Sequence, residues 1–186
     1  MAGGWTAETD IVLETDRLLL RPWRPADAGV QRELWTERDP RLPSHRRIDA
    51  EGRPTVEDLE DSIRRDDPAS IRLLAVERKA DGDVIGYCGL LNTRRGSEGE
   101  PELAFELLRR VWGQGYATEA ASAVLDWARW SGHERLWATV WDWNVASRRV
   151  LAKLGFLETP QGEVHPFHGT TLFLTRRLQP PDLQQE

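Results

Sequence analysis

Several residue classes are scarce in this chain, and each scarcity narrows the kind of protein it encodes. The 186 residues include one cysteine, Cys88, which excludes internal disulfides and cysteine-rich zinc sites. No apolar run approaches the roughly 18 residues of a membrane-spanning helix, and the N-terminal MAGGWTAETD lacks the pattern of a secretory signal. Basic residues are outnumbered, 25 against 31 acidic ones, which disfavours binding to nucleic acid through its phosphates. We therefore expect a cytoplasmic protein that binds neither membranes nor nucleic acid.

The composition and the order of patterns predict one mixed α/β domain. Hydrophobic residues make up 39% of the chain, enough for a core. Apolar runs and helical spacings follow each other in the order β-α-α-β-β-β-α-β-α-β, in which the second to fourth strands form a meander and the next strand is parallel to the fourth. We expect the domain to span residues 11–178, with flexible ends at 1–10 and 179–186.

The stretch RRVWGQGYATEA, residues 109–120, has two glycines between the fourth predicted strand and a predicted helix over 115–131. Glycine suits a positive φ or a close approach of the backbone to another group, and a helix start offers N–H groups to an anion. A dinucleotide fold would need a third glycine where Thr118 stands, and a P-loop would need Gly-Lys-Ser/Thr. Neither pattern is present, which leaves an ordinary tight turn or another anion site.

Three segments together resemble the GNAT superfamily of acetyl-CoA-dependent N-acetyltransferases, and in particular its RimJ/RimL-like branch. They are ETDRLLLRPW, ELAFELLRRVWGQGYATEA and NVASRRVLAKLGF, and the second contains Arg110-x-x-Gly113-x-Gly115. The resemblance covers about residues 11 to 178. It implies a mixed, mostly antiparallel, twisted sheet of about six or seven strands, flanked by about four helices and splayed between its fourth and fifth strands.

The resemblance also implies an acetyl-CoA site at the glycine turn and no metal. Main-chain N–H groups from about Val111 to Ala117 would bind the pyrophosphate with the helix dipole, and Arg110 would add a charged contact. Pantetheine would pair with the main chain of the fourth strand, while Asn144 is either a pantetheine ligand or a plain helix cap. The residues so predicted are Leu107, Leu108, Arg110, Val111, Trp112, Gly113, Gln114, Gly115, Tyr116, Ala117, Thr118, Asn144 and Ser147.

Acetyl transfer from a thioester to an amine needs a base, a donor to the oxyanion and a partner for the leaving thiolate. Glu102 and Glu106 alternate with apolar residues and should share a face. Glu102 matches a glutamate that some superfamily members use as base, although a solvated face also explains both. A bulge expected in this strand would expose the N–H of Leu107 to the carbonyl. Leu151 stands where many members have a tyrosine acid, so Ser147 is predicted to contact the sulfur unless it bonds its own helix backbone.

The acceptor has no readable motif in loops 36–54 and 160–169. His165 and His168 are interpreted as lining an acceptor loop rather than as metal ligands. We expect direct attack by a primary amine in a ternary complex, with a protein or peptide N-terminus favoured. The alternatives are a small-molecule amine acetyltransferase, of the aminoglycoside or polyamine type, and a non-catalytic coenzyme A sensor. A homodimer stays open.

Overall fold

The computed structural model describes residues 13–65, 73–93 and 100–179, so the predicted flexible ends lie outside it apart from Gln179. The strands there are β1 (Leu13–Glu14), β2 (Leu18–Arg21), β3 (Leu73–Arg78), β4 (Val84–Leu91), β5 (Glu102–Leu107), β6 (Arg135–Trp141), β7 (Leu157–His165) and β8 (Gly169–Arg177). The helices are α1 (Ala28–Glu37), α2 (Val56–Arg65), α3 (Tyr116–Trp130) and α4 (Val145–Lys153).

All eight strands belong to one sheet with the order β1-β2-β3-β4-β5-β6-β8-β7. Neighbouring strands are antiparallel except β5 and β6, which are parallel because α3 returns the chain to the edge where β5 began. The predicted α/β class, the mostly antiparallel sheet and the four helices are confirmed.

The sheet has two more strands than the six in the predicted order, and each has a local cause. The first predicted strand is folded into β1 and β2 by a turn in which Thr15 N–H donates to Leu18 O at 2.9 Å. β7 covers most of the segment predicted as loop 160–169. It contains Pro160 and Gly162, and most of its side chains are exposed, so no apolar alternation marks it as a strand.

The strands β5 and β6 separate soon after they meet. In the described residues their register contains one pair, Glu102 opposite Trp137, and Trp137 N–H donates to Pro101 O at 3.0 Å. Beyond that pair β5 remains bonded to β4 as far as Leu107, while β6 remains bonded to β8 as far as Trp141. The predicted splay is confirmed, and it opens a gap in the sheet.

The two faces of β5 have different surroundings. Leu103 and Leu107 are buried in the main core together with Val124 of α3. Because strand side chains alternate, Glu102 and Glu106 lie on the opposite face. The two glutamates therefore share a face, as the spacing predicts.

Candidate active site

The turn after β5 has the backbone that its glycines predict. A single 3-10 turn, Arg109–Val111, follows the strand, and α3 begins at Tyr116. Gly113 and Gly115 have φ angles of 77° and 84°, in the left-handed region that favours glycine. Among the described residues, a Cβ added to Gly113 would meet nothing within 4 Å, and one on Gly115 would meet an Arg17 nitrogen at 3.5 Å. Open space therefore lies in front of the main chain.

A row of N–H groups points out of this turn. In the part of the chain that the structure describes, the N–H groups of residues 113–118 have no protein acceptor, as is usual at a helix start. The N–H groups of Val111 and Trp112 instead close the 3-10 turn, at 3.1 Å each. The predicted row of phosphate donors is thus shorter than expected and begins at Gly113. Open N–H groups at the positive end of α3 fit an anion such as pyrophosphate.

The outward N–H groups of residues 113–118 form a cradle, and Arg110 does not extend freely towards it. Its guanidinium binds both carboxylate oxygens of Asp83, one of them at 3.0 Å, and lies 4.0 Å from Glu33. The Arg110 hydrogen bond lowers the pKa of Asp83 below its usual value. The arginine that sequence spacing selects is therefore engaged in an ion pair on the β4 side of the turn.

The cation that lies at the cradle is Arg17, from the turn between β1 and β2. Its Nη1 donates to Gln114 O at 3.1 Å, and its Nε donates to Glu119 in the first turn of α3 at 2.7 Å. Arg17 was not predicted as a site residue, although it lies in a segment that carries the family resemblance. No spacing rule could relate it to Gln114, because the two residues are 97 positions apart.

The hydrogen bonds of β5 show which main-chain groups face the gap. Leu108 N–H donates to Ile85 O of β4 at 2.9 Å, and consecutive residues of a strand direct these groups to alternate sides. The N–H groups of Phe105 and Leu107 therefore face β6, across the gap. Leu108, a predicted pantetheine partner, directs its N–H towards β4, whereas Phe105 was not singled out from the sequence.

The prediction of a bulge in β5 is wrong, because β5 pairs with β4 without one. The register runs without a break from Leu91 opposite Glu102 to Gly86 opposite Leu107, and the irregularity lies instead between β3 and β4. The N–H of Leu107 faces the gap because β6 has moved away. Its carbonyl accepts the indole N–H of Trp112 at 2.7 Å.

Glu102 lies at the closed end of the gap, where β5 and β6 still pair. The residue is 6% exposed, and its carboxylate accepts a hydrogen bond from the Thr139 hydroxyl of β6. A carboxylate shielded from water and fixed between two separating strands is chemically able to receive a proton from a bound amine.

Glu106 lies nearer the open end and is held by two partners. Arg38, just after α1, donates to its carboxylate at 2.8 and 3.0 Å, and the Tyr87 hydroxyl donates at 2.9 Å. Burial, with the nearby Glu106 charge, raises the pKa of Tyr87. Arg38 also stacks on Trp35, at 4.0 Å from the ring centroid. Both oxygens of Glu106 are thus occupied, and its charge is neutralised.

The start of α4 brings Asn144 and Ser147 together. Asn144 Oδ1 accepts the Ser147 N–H at 3.1 Å, so the residue is at least a helix cap. The Ser147 hydroxyl makes no hydrogen bond within the described residues, so the expected alternative of a bond to its own helix is not observed. Leu151, 2% exposed, is part of the core.

An aromatic wall stands on the glutamate face, where β6 ends. Trp141 stacks on Trp143 with centroids 5.9 Å apart, and the His165 ring lies 5.0 Å from Trp141. Arg41 covers Trp143 at 4.0 Å, and its carbonyl is 2.7 Å from His168 Nδ1. The segment after α1 and the β7–β8 hairpin therefore meet on this side of the gap.

The described residues contain neither a cluster of metal ligands nor a membrane-spanning helix. Across 13–65, 73–93 and 100–179, no three His, Cys, Asp or Glu side chains are grouped as metal ligands would be. None of the helices in those ranges has the length and apolarity needed to cross a membrane.

Comparison with known proteins agrees with this geometry. Residues 17–157 match the model of the acetyltransferase (GNAT) domain. The chain is 31% identical over 152 residues to the protein YkkB of Bacillus subtilis, which covers 80% of this chain and 86% of YkkB. A GNAT-family acetyltransferase from Bacillus anthracis has a similar structure, with a TM-score of 0.74 at 20% identity, over 90% of this chain and 98% of that one. The ribosomal-protein-S5-alanine acetyltransferase of Vibrio fischeri gives 0.67 at 18% identity, over 95% and 100%. The match over most of the chain and the open cradle between β5 and α3 lead to one conclusion: this protein belongs to the GNAT family of acetyltransferases.

Proposed function

We propose that the protein transfers the acetyl group of acetyl-CoA to a primary amine by direct attack, with a peptide N-terminus as the favoured acceptor. The observation that carries this proposal is a row of outward N–H groups in two parts. Those of Phe105 and Leu107 lie in the gap, and those of residues 113–118 lie in the cradle, with the 3-10 turn between them. An extended ligand with a diphosphate at one end matches such a row, and we infer that residues 11–178 form the domain that binds it.

On the cofactor side, the pyrophosphate would take the N–H groups from Gly113 onwards and the positive end of α3. The pantetheine arm would then lie along β5 as a neighbouring strand does, with Phe105 and Leu107 as its main-chain partners. Asn144, at the mouth of the gap beside α4, has an amide N–H₂ that can add a hydrogen bond while its oxygen caps the helix.

For the chemistry, we assign Glu102 as the group that takes the proton of the amine, directly or through water. Its carboxylate accepts the Thr139 hydroxyl of β6, and its burial between β5 and β6 suits proton transfer in a shielded site. Main-chain N–H groups facing the gap would stabilise the oxyanion. Ser147, whose hydroxyl is uncommitted within the described residues, would donate to the leaving thiolate.

The surroundings of Glu102 favour an acceptor amine that stands at the end of an extended chain. Arg41 and His168 meet on the glutamate face, and we infer that their contact restricts the approach of an amine to Glu102. A peptide N-terminus or a small amine fits this restriction better than a lysine in the middle of a folded surface. The likeness to the solved ribosomal-protein-S5-alanine acetyltransferase of Vibrio fischeri supports a peptide N-terminus as the acceptor.

The test is release of free thiol from acetyl-CoA in the presence of three acceptor sets. The sets are peptides with free N-termini, the same peptides blocked at the N-terminus and carrying one internal lysine, and polyamines with aminoglycosides. We expect release with the first set and not with the blocked peptides. Turnover of the third set alone would support the small-molecule alternative. Calorimetric binding of acetyl-CoA without turnover of any set would support the sensor alternative.

A further inference from the structure

We propose that Arg17, and not Arg110, is the side chain that binds the pyrophosphate of coenzyme A. This inference rests on the proposed use of the cradle for acetyl-CoA. It concerns a residue of the β1–β2 turn, almost a hundred positions before the glycines in the sequence.

The first support is the position of the guanidinium. Arg17 Nη1 lies 3.1 Å from Gln114 O, inside the turn, and its Nη2 is the atom nearest to a Cβ built on Gly115, at 3.5 Å. An anion that accepts the N–H groups of residues 113–118 would therefore come within reach of the same guanidinium. About half of the side chain, 47%, is exposed, so it is open to a ligand.

The second support is that Arg17 is oriented before any ligand arrives. Its Nε donates to Glu119 at 2.7 Å, and its main-chain N–H donates to the same carboxylate at 3.0 Å. The Thr15 hydroxyl donates to Glu119 at 2.6 Å, and the Arg17 guanidinium lies 4.4 Å from the centroid of the Tyr116 ring. A side chain fixed in this way loses less conformational entropy when a phosphate binds.

The third support is the count of donors. A guanidinium has five N–H groups. Glu119 and Gln114 take at most three of those of Arg17, which leaves two for phosphate oxygens. Arg110 also has N–H groups to spare, but it differs in position. Its guanidinium is held by Asp83, just before β4, and lies near Glu33 of α1, whereas that of Arg17 contacts Gln114 inside the turn.

The alternative to phosphate binding is a structural role, in which the pair of Arg17 with Glu119 clamps β1 and β2 to α3. The two roles predict different results for the two partners of the pair. If the pair is only a clamp, removing either charge weakens the cradle equally. If Arg17 binds phosphate, loss of Arg17 removes a ligand, whereas loss of Glu119 removes a negative charge beside the bound anion.

The experiment measures the dissociation constant of coenzyme A by isothermal titration calorimetry, at low and at high salt, for the parent and four variants. We expect R17Q to bind about tenfold more weakly and with a smaller salt dependence. R17K, which keeps the charge, should lose less, and R110Q should stay within about twofold of the parent. E119Q should lose less than R17Q, because it weakens the bonds that orient Arg17 but also removes a negative charge beside the bound anion. Thermal melts of every unliganded variant report on folding, and R17K stands in for R17Q should the latter not fold.

Truncated ligands locate the contact. The loss caused by R17Q should persist with 3′-dephospho-coenzyme A and vanish when thiol release is measured with S-acetylpantetheine, which has no phosphate. Equal weakening in R17Q and E119Q, an unchanged R17Q, or a loss that disappears with the dephospho form would overturn the assignment to pyrophosphate. Failure of the parent itself to bind coenzyme A would overturn the proposed function, a result distinguishable from all of these.

Discussion

The cradle at the start of α3 can be tested with a single methyl group. Gly115→Ala adds a Cβ where the phosphate would approach the main chain, and the described structure offers that atom room beside Arg17. The added strain comes from the φ of 84°, which costs a non-glycine residue roughly 1–2 kcal/mol. Gly132→Ala is a matched control, because Gly132 has a φ of 85° and no described atom within 4 Å of its added Cβ but lies just beyond the other end of α3.

The expected magnitudes separate strain from binding. Both variants should melt about 2 to 8 °C lower than the parent without ligand, from 1–2 kcal/mol at about 2–4 °C per kcal/mol for a chain of this size. Acetyl-CoA at a hundredfold excess over its dissociation constant should stabilise the parent by about 2.7 kcal/mol, or about 5 to 10 °C. If the methyl group weakens binding about a hundredfold, the stabilisation of Gly115→Ala at that concentration falls to about 0.4 kcal/mol.

The assay is a thermal melt of the parent and both variants with and without acetyl-CoA. Gly132→Ala should retain the full ligand-induced rise in Tm, and Gly115→Ala should lose most of it. An equal ligand-induced rise in Tm in Gly115→Ala and Gly132→Ala would refute the assignment of the cradle to pyrophosphate, since a pyrophosphate bound there would leave no space for the methyl group.

Four further variants test the chemistry and the fold. Ser147→Ala should lower turnover by about 10²-fold or more with an unchanged dissociation constant for acetyl-CoA, and an unchanged rate with chemistry limiting would remove Ser147 from the mechanism. Rate-versus-pH curves at saturating acetyl-CoA test the two glutamates. Turnover of Glu102→Gln should be largely lost at pH 7 and partly recovered at higher pH as free amine accumulates, while turnover of Glu106→Gln should change less. A larger loss in Glu106→Gln would identify Glu106, and not Glu102, as the base. Asp27→Asn should cost about 3 kcal/mol of unfolding free energy, because Asp27 forms a buried ion pair with Arg21 at 2.7 Å. Burial raises the pKa of Asp27, but the hydrogen bonds and charges of Arg21 and Arg24 together outweigh it and lower the pKa below 3.8. The difference from the parent in urea unfolding should therefore be full above pH 3.8 and shrink as the pH falls further; a difference that does not change with pH would contradict this.

Local patterns in the sequence were sufficient for most of the elements and for the cradle. The glycines at 113 and 115 predict positive φ, since few other residues adopt it, and both have it. The alternation of Glu102 and Glu106 with leucine and phenylalanine predicts a shared face, because the period of a strand is two residues. β7 was not predicted, because its side chains are mostly exposed and an edge strand needs no apolar alternation.

Tertiary structure decided which charged side chain lies beside the cradle and which glutamate Arg38 binds. Asp83, just before β4, binds Arg110, and Arg38, just after α1, binds Glu106. Arg17 reaches Gln114 across 97 positions of the sequence. These pairings depend on how the sheet orders its strands, a long-range property that no local spacing encodes. Backbone conformation and strand faces are determined by neighbours in the chain, whereas the partner of a long charged side chain is determined by whichever segment the fold brings next to it.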